Sequence, residues 1–366
     1  MKRFFIVCFV LTVSIKVFSQ TEIVVGKKDT LYSSVLSENR EIWVSVPSDF
    51  RKYLEGQRFP VALVLDGSAH FFTVVGMIDQ FSMNESCPPM IVVGLENTNR
   101  YRDFYPEFES DKFSIFLEEE LIPYIDKNYP TKPYRIFIGH SLAGLRVIKT
   151  AIYNKGIFNG YIAIDPSLGE QRNRWYDEAR NKILDFDLNN DRMFVAMAQT
   201  MKYNQVQDIA SIKADTTSDS NHMRRIMEFS ETLSGKNKKD KSNFHWKFYS
   251  DETHSSVTQI GTYEGIEFLF GWYKPRFWNE FYYNGTSPEK AIELYDGYLK
   301  KISNQLGYEI KSPFDNSMLI MNLEYRKQYE KALAVAKYNM KIYPESEKPK
   351  EWVRKLEEII QSQKNE

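Results

Sequence analysis

Cysteine is almost absent from this sequence. Its 366 residues include only Cys8 and Cys87, and Cys8 lies inside an apolar N-terminal run. If that run is cleaved, as argued below, the single remaining thiol cannot form a disulfide within the chain. The fold must then be stabilised by its hydrophobic core rather than by cross-links. With 42% hydrophobic residues, the chain can bury a large core and is too long for one small domain.

An excess of charge of either sign is also lacking. The chain has 48 basic and 49 acidic residues, which gives a net charge of -1. This balance predicts no electrostatic surface for nucleic acid or for an anionic membrane. Beyond the N-terminus, no run is apolar enough to predict a membrane-spanning helix, which needs about 20 residues.

The N-terminus has the features of a secretory signal peptide. Met1, Lys2 and Arg3 form a basic start, and residues 4–15 are mostly apolar. Residues 17–19 offer a cleavage site before Gln20 or Thr21. We therefore predict a signal peptide over residues 1–20 and an exported protein, either periplasmic or secreted.

Residues 21–274 alternate between strand-like and helix-like patterns. Residues 30–35 and 41–46 alternate in polarity, which predicts an antiparallel pair. Continuous apolar runs, typical of parallel strands covered on both faces, follow at 61–65, 91–95, 134–138, 161–164, 193–198 and 244–249. Helical patterns separate them at 113–126, 142–154, 221–233 and 263–273. This order predicts an α/β fold with a mostly parallel central sheet and helices on both faces.

The composition changes after residue 275. A turn-rich joint at residues 284–288 precedes a sequence that is helix-like to the end. Residues 321–344 resemble a single tetratricopeptide unit, with matching positions at Tyr325, Ala332, Ala334 and Pro344. One unit cannot bury its own apolar face, so we expect it to pack on a neighbouring element. We predict an α/β domain at 21–274, a small all-α extension at 286–366, and a possible protein partner at this helical tail.

The segment Gly139-His140-Ser141-Leu142-Ala143-Gly144 follows an apolar run and begins a predicted helix. A strand, a sharp turn and a helix form the context of a nucleophile elbow, which lifts a serine hydroxyl clear of the sheet. The usual pattern is G-x-S-x-G, and here Ala143 occupies the second glycine position. The alternative is a plain strand–helix turn with a capping serine. We predict Ser141 as a nucleophile.

A serine hydroxyl needs a neighbouring base, and the chain has only five histidines. Four of them follow an early strand, adjoin the serine or lie inside predicted elements: His70, His140, His222 and His245. His254 lies in a loop after the last predicted strand. Proteins with this elbow carry their triad in the order Ser, acid, His, with the histidine in such a loop. We predict His254 as the base.

The acid of the triad should lie between Ser141 and His254, after the strand at 193–198. The candidates are Asp208, Asp215 and Asp219. We predict Asp215, with Asp219 as the alternative, although Asp219 could instead interact with a helix N-terminus. A less usual placement is Asp165, and a Ser–His dyad without an acid is also left open.

The tetrahedral intermediate of acyl transfer needs hydrogen-bond donors for its oxyanion. The backbone N–H of Leu142, directly after the nucleophile, is one candidate. The loop after the strand at 61–65 offers Gly67, which lets the backbone approach closely, and Ser68. The alternative for this loop is a plain turn.

Together these segments resemble the "putative esterase" family of α/β-hydrolases, which includes S-formylglutathione hydrolases, feruloyl and acetyl-xylan esterases and catecholate-siderophore (enterochelin) esterases. The matching phrases are SENREIWVSVP, PVALVLDG, MIVVGLENTNRYRDFYP, FLEEELIPYIDKNYPT, IGHSLAGL, YIAIDPSL and DETHSSV. The resemblance implies hydrolysis of a small-molecule or oligosaccharide ester, a catecholate siderophore or an acylated carbohydrate, without a cofactor. It also implies that an arginine near the site helps to hold the acyl group. Arg100 and Arg102 are the candidates, with an ion pair between Arg102 and Asp103 as the alternative.

The sequence predicts no metal site, because it contains no His-x-x-x-His pair, and it also lacks a Gly-rich phosphate loop. We add His140, next to the nucleophile, as a candidate substrate contact. Two other functions are left open. The chain could be a non-catalytic adaptor that recruits a partner through its helical tail, or an acyltransferase that uses the same triad.

Overall fold

The computed structural model describes residues 22–47, 56–105, 111–169, 175–200, 208–236, 243–312 and 316–364. The predicted signal peptide at 1–20 lies outside these ranges. Within them, no helix combines the length and apolar character needed to cross a bilayer.

A single sheet contains the eight strands of the described residues. These are β1 (Lys27–Ser33), β2 (Glu38–Ser45), β3 (Phe59–Leu65), β4 (Ile91–Leu95), β5 (Thr131–His140), β6 (Gly160–Ile164), β7 (Arg192–Ala198) and β8 (Phe244–Tyr249). Their order is β1-β2-β4-β3-β5-β6-β7-β8. The pairs β1–β2 and β2–β4 are antiparallel, and all pairs from β4–β3 to β7–β8 are parallel. The predicted mostly parallel sheet is confirmed.

Helices connect the strands and cover both faces of the sheet. Up to β8 they are α1 (Gly67–Met83), α2 (Arg100–Phe104), α3 (Lys112–Ile115), α4 (Ile122–Asn128), α5 (Leu142–Tyr153), α6 (Trp175–Glu178), α7 (Arg180–Asp185), α8 (Ile209–Ala214) and α9 (Asn221–Lys236). A π-helical segment, Phe116–Leu121, joins α3 to α4. After β8 follows α10 (Val257–Phe270), which begins six residues before its predicted start at 263.

Two hydrophobic cores lie on opposite faces of the sheet, because successive strand residues point to opposite sides. In β3, Leu63 belongs to the core that contains α5, and Val64 belongs to the core that contains α1 and α10. Both side chains are buried. Strands covered on both faces need apolar residues at every position, which explains the continuous apolar runs of the sequence.

The segment after β3 is the start of helix α1 rather than a loop. The sequence predicts that Gly67 and Ser68 lie in a loop, but they are the first residues of α1. Asp66 makes the turn from strand to helix in the left-handed region, with φ 54°. A side chain at position 67 would meet the backbone of Gly94 at 2.9 Å, so the close approach expected for Gly67 is one to strand β4.

The C-terminal region is helical, as predicted. It contains α11 (Trp278–Tyr282), α12 (Pro288–Leu306), α13 (Ser317–Tyr325), α14 (Tyr329–Ile342) and α15 (Glu347–Lys364). These helices share a hydrophobic cluster of their own, which includes Leu299, Leu323 and Val335. Leu306 at the end of α12 belongs instead to the core under α1 and α10. The extension is therefore packed on the α/β unit, and the boundary between 274 and 286 stays a prediction.

Candidate active site

Ser141 occupies the turn between β5 and α5. Its backbone has φ 60° and ψ -119°, a conformation that non-glycine residues rarely adopt. A side chain at Gly139 would overlap the backbone of Ala143, and one at Gly144 would meet the Ile164 carbonyl oxygen at 3.1 Å. The strand and the helix therefore touch at the turn, which holds Ser141 at the carboxyl edge of the sheet. The methyl group of Ala143, in place of the usual glycine, is fully buried there.

His254 lies in the loop between β8 and α10. Its Nε2 is 2.9 Å from Ser141 Oγ, although the two residues are 113 positions apart. This is the distance of a hydrogen bond between a nucleophile and its base. Ser167 Oγ is a second hydroxyl close by, 3.2 Å from Ser141 Oγ.

Asp165 supplies the carboxylate that faces His254. It follows β6 directly, has φ 41° and is fully buried. Its Oδ2 lies 2.5 Å from His254 Nδ1, and its Oδ1 accepts a hydrogen bond of 3.0 Å from the backbone N–H of Ala198 in β7. Ser141, His254 and Asp165 thus form a continuous hydrogen-bonded chain from a hydroxyl to a buried carboxylate.

A second histidine reaches the same carboxylate oxygen. His222 Nε2 lies 3.3 Å from Asp165 Oδ2, and His222 is the second residue of α9. Its neighbour Asn221 donates a 2.6 Å hydrogen bond to the Gly169 carbonyl, which ties the start of α9 to the loop after β6. Burial works to raise the pKa of Asp165, but the contacts from His222 and His254 outweigh it and hold this pKa well below its usual value.

The predicted acid is corrected by this geometry. The carboxylate of Asp215 accepts a 2.6 Å hydrogen bond from the Thr217 N–H, in the connection between α8 and α9. Asp208 caps α8 by accepting from the Ser211 N–H, and Asp219 lies on the exposed side of the same connection. Of the carboxylates weighed from the sequence, Asp165 is the one in contact with His254.

The predicted oxyanion donors lie at two helix N-termini on the same edge of the sheet. Leu142 begins α5 after β5, Gly67 and Ser68 begin α1 after β3, and these two strands are neighbours. Backbone N–H groups in the first turn of a helix have no partner inside the helix, so they can donate to an anion. The assignment of Leu142, Gly67 and Ser68 to an oxyanion hole stays a prediction.

An open cleft of about 420 Å³ lies beside the elbow, and it is lined not by Ser141 or His254 themselves but by their chain neighbours His140 and Ser255. Its walls come from the start of α1 (Asp66, Ser68, Ala69, His70), the β4–α2 segment (Asn97, Arg100), the elbow (His140) and the loop and helix after β8 (Ser255, Thr258). Two of the three predicted substrate contacts, Arg100 and His140, therefore lie in this cleft. Arg102 does not line it, and pairs instead with Glu38 at 2.6 Å and with Asp103.

His140 connects the elbow to the loop of the base. Its Nε2 donates a 2.7 Å hydrogen bond to the backbone carbonyl of His254, and their ring centroids are 4.5 Å apart. A carbonyl can only accept, so His140 carries its proton on Nε2. Burial lowers the pKa of His140 to about 4, which keeps the ring neutral near pH 7.

One group of side chains has the composition of a metal site. Asp165, His222 and His254 place three potential ligand atoms within 4.8 Å of one another. Their close contacts are made with each other, and His254 also contacts Ser141, so the three side chains and Ser141 form one hydrogen-bonded group.

Solved structures with the same architecture include several hydrolases. An IroE-like serine hydrolase from Shewanella oneidensis is 22% identical, with a TM-score of 0.65 over 87% of this chain and 99% of that chain. The siderophore hydrolase EstB from Aspergillus nidulans is 18% identical, with a TM-score of 0.56 over 69% of this chain and 98% of that one. The enterobactin esterase FES from Shigella flexneri is 15% identical, with a TM-score of 0.51 over 69% and 61% of the two chains. At these identities the likeness establishes the fold.

Sequence comparison with curated proteins gives no significant match. The sequence pattern of one family, described as "Putative esterase", matches residues 33–250. This range covers more than half of the chain and contains both the elbow and Asp165. The chain therefore belongs to the "Putative esterase" family and has an α/β-hydrolase fold.

Proposed function

We propose that this protein is a serine carboxylic-ester hydrolase that works through an acyl-enzyme intermediate on Ser141. The observation that carries the proposal is the alignment of Ser141 Oγ, His254 and Asp165, with contacts of 2.9 Å and 2.5 Å. A hydroxyl, an imidazole and a buried carboxylate in this order activate a serine for acyl transfer. The same alignment favours catalysis over a purely non-catalytic adaptor.

In the first half of the reaction, Ser141 Oγ attacks the carbonyl carbon of the ester while His254 Nε2 takes the hydroxyl proton. Asp165 holds the other proton of the imidazole on Nδ1 and stabilises the imidazolium that forms. The oxyanion of the tetrahedral intermediate is placed near the N–H groups that begin α5 and α1. When the intermediate collapses, the alcohol leaves with the proton from His254, and the acyl group stays on Ser141.

In the second half, a water molecule gives a proton to His254 and attacks the acyl carbon. The carboxylic acid leaves as Ser141 recovers its proton from His254. If an alcohol took the place of water, the same residues would carry out acyl transfer. The cleft beside Ser141 is open, which gives water access and favours hydrolysis.

The substrate we propose is a small or oligomeric ester, either a catecholate siderophore or an acylated carbohydrate. The names of two of the similar structures, a siderophore hydrolase and an enterobactin esterase, support the first class. We also propose that the protein is exported through the signal sequence at 1–20. The helices of residues 286–366 are then an accessory unit that could bind a protein partner.

The test is the hydrolysis of p-nitrophenyl acetate by the full chain and by Ser141→Ala. We expect the variant to fold normally and to lose at least about a thousandfold in kcat/KM, because removal of a triad member costs several orders of magnitude. Ser167→Ala is the matched control, since it removes a hydroxyl only 3.2 Å away, and it should keep most of the activity. A fluorophosphonate should label Ser141 in the intact protein, as read by peptide mass spectrometry. Full activity in Ser141→Ala would refute the assignment.

A further inference from the structure

The described lining of the cleft contains one charged pair. Arg100 donates from Nε to Asp66 Oδ1 at 2.8 Å and from Nη2 to Asp66 Oδ2 at 3.0 Å. This two-point contact is the strong geometry between a guanidinium and a carboxylate. The positive charge of Arg100 is therefore matched at contact distance by a negative charge that faces the same space.

Neighbouring groups hold this pair in place. Asn97 donates its side-chain amide to Asp66 Oδ1, and Arg100 donates from Nη2 to the His140 carbonyl at 3.3 Å. The Arg100 guanidinium also lies 5.6 Å from the ring centroid of Phe104. Because Asp66 is only 11% exposed and Arg100 is 34% exposed, water screens the pair less than it would screen a surface salt bridge.

The remaining polar groups of the cleft are uncharged. Ser68, Ser255 and Thr258 offer hydroxyls, and Asn97 offers an amide. Burial lowers the pKa of both histidines, His70 and His140, which leaves their rings neutral near pH 7. Such groups recognise hydroxyl and carbonyl groups by hydrogen bonds without requiring charge.

We propose that the cleft selects uncharged polar esters, which among the two proposed substrate classes favours acylated carbohydrates over anionic catecholates, and that Asp66 determines this specificity by neutralising Arg100. The proposal rests on the proposed ester hydrolysis. An anionic group that entered the cleft would meet the carboxylate of Asp66 as closely as the guanidinium of Arg100. It would give up hydration and gain little attraction in return. A neutral ester has no such cost.

The test compares two aryl esters that differ by one negative charge and one methyl group, 4-acetoxybenzoate and its methyl ester. Both release a phenol and leave the same acetyl group on the enzyme. We expect the full-length protein to hydrolyse the neutral ester with at least about tenfold higher kcat/KM. A second pair places the charge on the acyl side of the ester. It consists of p-nitrophenyl 4-carboxybenzoate and the compound in which this carboxylate is a methyl ester.

Asp66→Asn should reduce this discrimination about tenfold or more, because it exposes the charge of Arg100 to the anion at short range. Asparagine tolerates the left-handed conformation of position 66 and can still accept from Arg100. Asp126→Asn is the matched control. It breaks another Asp–Arg contact, with Arg135, near the start of β5 at the opposite edge of the sheet, and should leave the ratio unchanged. Adding Arg100→Gln to Asp66→Asn should remove the positive charge and restore the preference for the neutral ester.

Preference of the intact protein for the anionic ester would overturn the proposal, as would an unchanged ratio in an active Asp66→Asn variant. If that variant does not fold, the salt dependence of the intact protein decides. A neutralised cleft predicts that raising the salt from about 20 mM to 500 mM leaves kcat/KM for the anionic ester nearly constant, whereas a steep fall would reveal an unmasked positive charge. Failure to hydrolyse either ester would count against the proposed function itself.

Discussion

Replacing Asp165 with asparagine keeps the size of the side chain but replaces one of its two acceptor oxygens with an NH₂ group. The side chain can then orient in two ways, which differ in the neighbour that faces the NH₂ group. The backbone N–H of Ala198 can only donate, and it contacts Oδ1 at 3.0 Å. The asparagine oxygen must therefore face Ala198, and its NH₂ group takes the place of Oδ2. That position lies 2.5 Å from His254 Nδ1. His254 Nδ1 then has to accept a hydrogen bond, and the ring proton moves to Nε2.

This tautomer is the wrong one for catalysis. With its proton on Nε2, His254 would donate toward Ser141 Oγ, 2.9 Å away, and could not take the serine proton. The variant also loses the negative charge that stabilises the imidazolium. From these two effects we expect a loss of about 10⁴ in kcat, the magnitude found for this substitution in serine proteases. A loss of this size corresponds to about 5.4 kcal/mol of transition-state stabilisation.

The assay is hydrolysis of p-nitrophenyl acetate across pH, with far-UV circular dichroism to check folding. Asp215→Asn is the matched control, because it makes the same chemical change in a carboxylate that accepts from Thr217 N–H. Asparagine can still accept that bond, so we expect less than about a twofold change in rate. Activity of Asp165→Asn within tenfold of the unmodified protein would refute the reasoning and favour a Ser–His dyad. A large loss in Asp215→Asn alone would restore the acid first predicted from the sequence.

Three further predictions concern stability, measured by urea unfolding. Burial works to raise the pKa of Asp111, but the buried cations Arg146 and Lys149 outweigh it and hold the pKa at about 2, below the ordinary value of 3.8. The stabilisation of the folded state by ionised Asp111 is complete above about pH 4 and is lost as the pH falls toward 2. Asp111→Asn should therefore lower the free energy of unfolding by about 2 kcal/mol at pH 7 and by far less at pH 2. An equal cost at both pH values would contradict this prediction. Gly139→Ala should destabilise the fold by ~1–3 kcal/mol and lower kcat, because the methyl group would overlap the backbone of α5. Gly76→Ala, in α1 with nothing within 4 Å of the added methyl, should instead stabilise it by up to ~1 kcal/mol, and destabilisation there would contradict the helix.

The sheet and the elbow were predictable because both leave local signals. Each buried parallel strand corresponds to a short apolar run in the sequence. The contact between β5 and α5 requires the small residues Gly139 and Gly144 around Ser141. The position of His254 was predictable for a related reason, since it lies in the short loop after the last strand. These features depend on a few consecutive residues, which a single sequence displays.

The carboxylate was not predictable in the same way. Asp165 and His254 are 89 residues apart, and their contact depends on the sheet order, in which β6 lies between β5 and β7. The sequence does contain one relevant signal, an aspartate placed directly after a fully apolar strand. The role of His222 beside this carboxylate had no local signal, because it follows from where α9 starts relative to the β6 loop.

Helix α1 was missed for a different reason. It begins directly after Asp66 without a side-chain cap, so the usual start signal is absent. Its buried residues nevertheless recur at helical spacing, as Phe71, Val74, Val75, Ile78 and Phe81. The Asp66-Gly67 pair predicts a turn, whereas the helical spacing of the buried residues that follow indicates a helix.

Helix α2 is only five residues long, and its two ends have separate tasks. Asp103 is fully buried against Arg40 of β2 at 2.7 Å, whereas Arg100 faces the cleft and the Tyr101 side chain is 67% exposed. The buried anchor and the exposed surface are thus carried by different residues of one short segment. For directed evolution this makes positions 100 and 101 good places to randomise, because new cleft chemistry can be sampled there while the ion pair that fixes the helix is left intact.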